Sequence, residues 1–102
     1  MANRKIYLIL FLFFIITNLS AQKAHTILIT YHSKSGKTAS MAKAIAKGAA
    51  INDNIAIIVK TIEQTTKDDL LHADAIILGS PVYNANPSSD VLKFIESWPF
   101  AG

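Results

Sequence analysis

The chain predicts an α/β fold, a parallel sheet with helices flanking it, and three observations carry that prediction. Residues 26–31, 55–60 and 75–79 are short apolar runs without clean alternation, as expected of strands covered on both faces. Helical material, not hairpin turns, separates them, which is the rhythm of parallel strands joined by crossovers. At 102 residues the chain is one small domain at most.

The first strand is dominated by Ile27, Leu28 and Ile29. A helix should then begin near Lys37 and run to about Ala50. Thr38, Met41, Ile45 and Ala49 recur at three and four residues and predict its packing face, while Lys43 and Lys47 read as solvated. Asn52-Asp53-Asn54 forms the turn into the second strand, where Ile57, Ile58 and Val59 are β-branched. Thr66 is placed to cap a short helix through Lys67, Asp68, Asp69, Leu70 and Leu71, with acidic residues favourably in its first turn. The third strand ends at Gly79. For the last helix, Asn86 is the predicted N-cap and Pro87 the first helical residue, with Val91, Phe94, Ile95 and Trp98 as an apolar stripe and Pro99 as the stop. Three parallel strands leave edges that must be paired or covered. The expectation is therefore a domain truncated to its first three strands.

The N-terminus has a different character. Arg4 and Lys5 precede an unbroken apolar run at 6–16, followed by Thr17, Asn18, Leu19, Ser20 and Ala21. This order predicts a secretory signal peptide over residues 1–21, with 22–102 exported to the periplasm or the exterior. The apolar run is well short of the roughly 20 residues that span a bilayer, so the mature chain is expected to have no stable membrane span. The formal charge of the whole chain is +3. Beyond residue 21 there are eight lysines against seven carboxylates and no arginine, which argues against nucleic-acid binding. Without cysteine there is neither a disulfide nor a thiolate nucleophile, and His25, His32 and His72 lack a zinc-like spacing.

The strongest local signal is Ser33-Lys34-Ser35-Gly36-Lys37-Thr38, directly between a buried strand and a helix. Free amides and the positive end of the dipole gather at such a helix start and suit an anion. Hydroxyls can donate to phosphate oxygens, and Gly36 lets the chain turn tightly. Gly36-Lys37-Thr38 also reads like the end of a nucleoside-triphosphate loop. That loop needs a glycine five residues before its last one, and Tyr31 stands there. Ordinary turn and capping roles for Ser33, Ser35 and Thr38 are the alternative, and Lys34 and Lys37 matter less than the hydroxyls in this reading.

A second loop, Gly79-Ser80-Pro81-Val82-Tyr83-Asn84-Ala85-Asn86-Pro87, follows the third strand. In a parallel sheet both loops emerge at one edge, where a ligand would touch both. Tyr83 offers a flat face for an aromatic ring, and Ser80 could bond a polar ring edge. His32 is expected to be structural and partly exposed.

Together the two loops resemble those of flavodoxin-like proteins. The pattern Ser/Thr-x-Ser/Thr-Gly-x-Thr after an apolar strand is matched by Ser33, Ser35, Gly36 and Thr38, and the stretch from Leu71 to Tyr83 is similar to the family's third strand and flavin loop. The branch it most resembles is the NAD(P)H:quinone oxidoreductases and their NADPH-dependent flavin mononucleotide (FMN) reductase relatives. The resemblance implies a flavodoxin-like parallel sheet of which residues 22–102 supply the N-terminal part. It implies that Ser33, Lys34, Ser35, Gly36, Lys37 and Thr38 hold the FMN phosphate. Pro81, Val82, Tyr83 and Asn84 would line the isoalloxazine ring. The implied function is an FMN-dependent oxidoreductase, passing electrons from a nicotinamide-type donor to a quinone or similar small acceptor, with no side chain assigned as catalytic. The alternatives are a non-catalytic electron carrier or FMN-binding module, and a truncated domain without activity. Relatives of this type are commonly dimers or tetramers, so a homo-oligomer is a further expectation. The family often has glycine where this chain has Ala85.

Overall fold

The structure is a computed structural model that describes residues 24–100. The signal peptide expected over residues 1–21 lies outside them. The elements run β1 (His25–Tyr31), α1 (Lys37–Ala49), β2 (Ile55–Thr61), α2 (Lys67–His72), β3 (Ala75–Gly79), β4 (Val82–Tyr83), β5 (Asn86–Pro87) and α3 (Ser89–Glu96). β1, β2 and β3 form a parallel sheet in the order β2-β1-β3. β4 and β5 form a separate antiparallel pair. The expected α/β class, with parallel strands and flanking helices, is what the chain adopts.

β1 lies in the middle because its residues tolerate neighbours on every side. Leu28, Ile29 and Thr30 are fully buried, and each buried aliphatic side chain contributes about 1.5–3 kcal/mol. The one polar member of that run is satisfied, because Thr30 Oγ1 meets Thr65 Oγ1 at 2.7 Å and Thr65 Oγ1 donates to the Thr61 carbonyl at 2.8 Å. At the start of β3 the Asp74 amide donates to the Thr26 carbonyl (2.9 Å) and the Asp74 carboxylate accepts from the Thr26 amide (2.7 Å). β3 is thereby locked to β1 in register before its first residue.

α2 forms as its cap predicts. Thr66 Oγ1 accepts from the Asp69 amide, and Asp69 Oδ2 accepts from the Thr66 amide, closing a capping box. The Lys60 ammonium, 2.8 Å from Asp69 Oδ2, and then the Thr66 amide hold the Asp69 carboxyl below its ordinary range.

Two expectations about the helices need correction. In α1 the buried residue is Ala42, whereas Met41 is 66% and Ile45 37% exposed. The cause is topological. Among the described residues β3 is an edge strand, and their sheet stops beneath this side of α1. Met41 and Ile45 then border an open apolar cavity of about 100 Å³ shared with Ile29, Ile77 and Leu78.

The second correction concerns the last helix. It does not start at Asn86 and Pro87, which pair with Tyr83 and Val82 as β5. Asn84 and Ala85 take φ 51° and 64°, the left-handed pair that a two-residue hairpin turn requires. The chain folds back before it can turn helical, and Ser88 becomes the N-cap, its Oγ accepting from the Val91 amide at 3.3 Å. Val91 is buried as expected, but Ile95 is 41% exposed. Trp98 lies past the end of α3, edge-to-face with Phe94 and Phe100 at 5.7 and 5.9 Å.

Candidate functional site

Parallel pairing aligns Tyr31 with Gly79, so the loops that follow these residues leave the sheet side by side at its carboxyl edge. Between them lies a cleft of about 340 Å³ lined by Lys34, Ser35, Lys37, Thr38, Pro81, Val82 and Tyr83. That volume falls at the lower end of small-molecule sites. Seven of the ten residues expected at the site line this cleft. Ser33, Gly36 and Asn84 do not; they shape the loops that form it.

Gly36 caps α1 with φ 90°, a left-handed conformation disfavoured for any residue with a Cβ. A Cβ there would meet nothing within 4 Å, so the requirement is conformational and not one of space. Ser33 is a brace. Its Oγ accepts from the Gly36 amide at 3.1 Å and the Ala39 amide at 3.2 Å, holding the loop against the first turn of α1. Its hydroxyl proton is not used in these two bonds, so Ser33 braces the loop as an acceptor and keeps its donor.

The amides of Lys34, Ser35, Lys37 and Thr38 accept no such service. Among the described residues they find no protein acceptor, and the hydroxyls of Ser35 and Thr38 make no hydrogen bond. Those of Lys37 and Thr38 are unpaired donors of a helix start and those of Lys34 and Ser35 belong to the loop before it, all on exposed or half-buried residues that line the cleft. Thr38 is oriented by its methyl group, which packs where the Cβ that Gly79 lacks would stand, 3.1 Å away.

The second loop is built on Ser80. Its Oγ accepts from the Ser88 amide at 3.0 Å and donates to the Pro81 carbonyl at 2.8 Å. Ser80 is thus committed to the root of the hairpin and not to a ring edge. Asn84 sits in the turn, its carbonyl accepting from Asn86 Nδ2 at 3.2 Å. Tyr83 is 44% exposed, and the Lys34 ammonium lies 5.4 Å from its ring centroid, a cation–π contact that spans the cleft from one loop to the other.

His32 is more enclosed than expected, with 11% of its side chain exposed. Its Nδ1 is 3.7 Å from Glu63 Oε1 and its Nε2 3.6 Å from Asp90 Oδ2, both longer than a hydrogen bond. Among the described residues no cluster of histidines and carboxylates is arranged to hold a metal. No helix among them is long and apolar enough to cross a membrane. The cleft lining carries two lysines and no carboxylate. Gly79 and Ser88 were the residues whose importance was hardest to read. A strand-terminal glycine and a serine three residues before a valine are weak signals, and only the close approach of Thr38 and the cap geometry disclose them.

Comparison with known proteins gives consistent results. The family model described as a flavodoxin domain matches residues 28–98. A flavodoxin of Clostridium saccharobutylicum is 37% identical over 68 residues, covering 67% of this chain and 42% of that protein. A flavodoxin of Aquifex aeolicus is 34% identical over 70 residues, covering 69% of this chain and 38% of that protein. Among solved structures, a flavodoxin from the domain Archaea superposes with a TM-score of 0.67 at 29% identity, over 71% of this chain and 50% of that one. The chain thus spans about two-fifths of the length of the curated relatives it matches.

Proposed function

The chain belongs to the flavodoxin-domain family, and from that premise we propose that it binds FMN at the carboxyl edge of its sheet and acts as an electron carrier, or as the FMN-binding part of one. The observation that carries this reading is the cleft itself. One wall holds unpaired amides, two free hydroxyls and two lysines, and the other holds an exposed tyrosine ring. A phosphate ester fits the first wall and a flat aromatic ring the second. The donors present therefore suit FMN.

Ser35, Thr38 and the amides of Lys34, Ser35, Lys37 and Thr38 would hold the phosphate, with Gly36 and Ser33 fixing the loop. Pro81, Val82 and Tyr83 would border the ring. The flavin, when bound, supplies the electron chemistry, and the protein orients it and sets its electrostatic surroundings. A carrier is preferred to a nicotinamide-dependent quinone reductase for two reasons. Among the described residues no histidine or carboxylate lines the cleft to move a proton to or from a substrate, and the relatives reported above are flavodoxins.

Titrating the 102-residue chain with FMN and with riboflavin, by flavin fluorescence and thermal shift, tests the reading. Saturable FMN binding that exceeds riboflavin binding is expected. Ser35→Ala with Thr38→Ala should weaken it by about tenfold or more, since hydrogen bonds to a charged group contribute about 1.5–3 kcal/mol each. Equal affinity of the double variant and the parent would refute the phosphate assignment.

A further inference from the structure

Lys34 and Tyr83 stand on opposite walls of the cleft, and their side chains meet across it. The Lys34 ammonium lies 5.4 Å from the centroid of the Tyr83 ring, within cation–π range of its face. Both residues line the cleft, so the face that the ammonium covers is the one turned towards a ligand. A flat aromatic ligand needs that same face, because a ring stacked on Tyr83 has its centroid about 4.5–7 Å from that of the tyrosine. The ammonium and a stacked ring cannot both be there. Among the described residues Lys34 makes no ion pair, so no carboxylate holds its charge elsewhere.

We infer that Lys34 closes the ring end of the cleft and that the ligand's phosphate opens it, so that the cleft selects a phosphorylated flavin over the bare ring. The inference rests on the FMN reading and deepens it. The backbone of Lys34 belongs to the anion end, where its amide is one of the open donors of the first loop. Its ammonium rides on a flexible four-carbon stem and can swing to a phosphate held there without moving the loop. A phosphate ester carries roughly 1.5–2 negative charges near neutral pH. Its attraction for an ammonium exceeds that of a neutral ring at an exposed site. Phosphate therefore draws the ammonium off Tyr83 and frees the ring face. A ring without phosphate has to displace the ammonium and gives it no new partner. The size of the cleft agrees. At about 340 Å³ it lies at the lower end of small-molecule sites, and withdrawal of the lysine side chain is what widens its ring end.

The test measures dissociation constants by flavin fluorescence for FMN and for lumiflavin, which is the ring without its phosphate-bearing chain. The full chain is compared with Lys34→Ala and Lys34→Arg, and lumiflavin is titrated with and without inorganic phosphate. Lys34→Ala should bind lumiflavin about two- to fivefold more tightly than the parent, the size of an exposed cation–π contact, and should bind FMN more weakly. One substitution thus moves the two ligands in opposite directions, which a merely structural role for the lysine would not do. Inorganic phosphate should tighten lumiflavin binding by the parent and by Lys34→Arg, and leave Lys34→Ala unaffected. Unchanged or weaker lumiflavin binding by Lys34→Ala, or a phosphate effect as large in that variant as in the parent, overturns the role given to Lys34 and leaves the FMN reading intact. Failure of the parent chain to bind FMN overturns both.

Discussion

The two loops that frame the cleft leave neighbouring strands at the same edge, yet their backbones are controlled by different means. In the first loop, the one left-handed residue is Gly36, and Ser33 gathers two amides around it while the remaining donors stay open. In the second, the left-handed residues are Asn84 and Ala85, neither of them glycine, and the turn is secured at its root by Ser80 and Ser88. One loop spends its freedom at a residue that tolerates it. The other holds a disfavoured conformation through hydrogen bonds made elsewhere. The first presents backbone donors, which must not move; the second presents a side-chain ring carried on the hairpin itself, whose root at Ser80 lies three residues before Tyr83.

Substitutions can break or sharpen this contrast. The largest effect is expected at Gly36. Gly36→Ala should destabilise the chain by about 1–2 kcal/mol, the cost of a Cβ in the left-handed region. In a domain of this size each kcal/mol lowers the melting temperature by about 4–8 °C, and thermal unfolding followed by circular dichroism would show it. Ser88→Ala should cost about 1 kcal/mol through loss of the α3 cap, and in the same melt it should leave the first loop's anion affinity unchanged. The smallest effect has the opposite sign. Ala85→Gly relieves a φ of 64° and should raise stability by about 0.5–1 kcal/mol in a denaturant titration. If Gly36→Ala and Ala85→Gly proved equally silent, backbone conformation would not be what distinguishes the loops.

Much of the frame was legible beforehand, for physical reasons. Buried parallel strands need continuous apolar runs, and 75–79 was read to the residue because Gly79 and Ser80 end the run sharply. Thr66 and Asp69 stand at the spacing of a capping box, so α2 could be found despite its length. The first loop declared itself because phosphate binding calls for hydroxyls and glycine in a fixed order. The β4–β5 hairpin escaped because strands of two residues carry no periodicity, and because Pro87, a favoured first residue of a helix, served in a strand. The exposed side of α1 escaped for a different reason. Periodicity reveals that Met41 and Ile45 share a face with Thr38, but not that the sheet ends beneath it, which depends on the order of strands. Lys34 was expected at the phosphate loop, but its contact with Tyr83 was not legible, since it joins residues far apart in the chain.

Gly79 has a consequence for how the cleft keeps its dimensions. Its missing side chain admits the Thr38 methyl from one loop, its carbonyl accepts from the His32 amide at 3.0 Å, and the next residue begins the other loop. The two walls are therefore not independent arms reaching from a common base. They meet at a joint one atom thick, and any displacement of one would be felt by the other there, so the distance between the anion end and the ring end is gauged by the absence of a single methyl group.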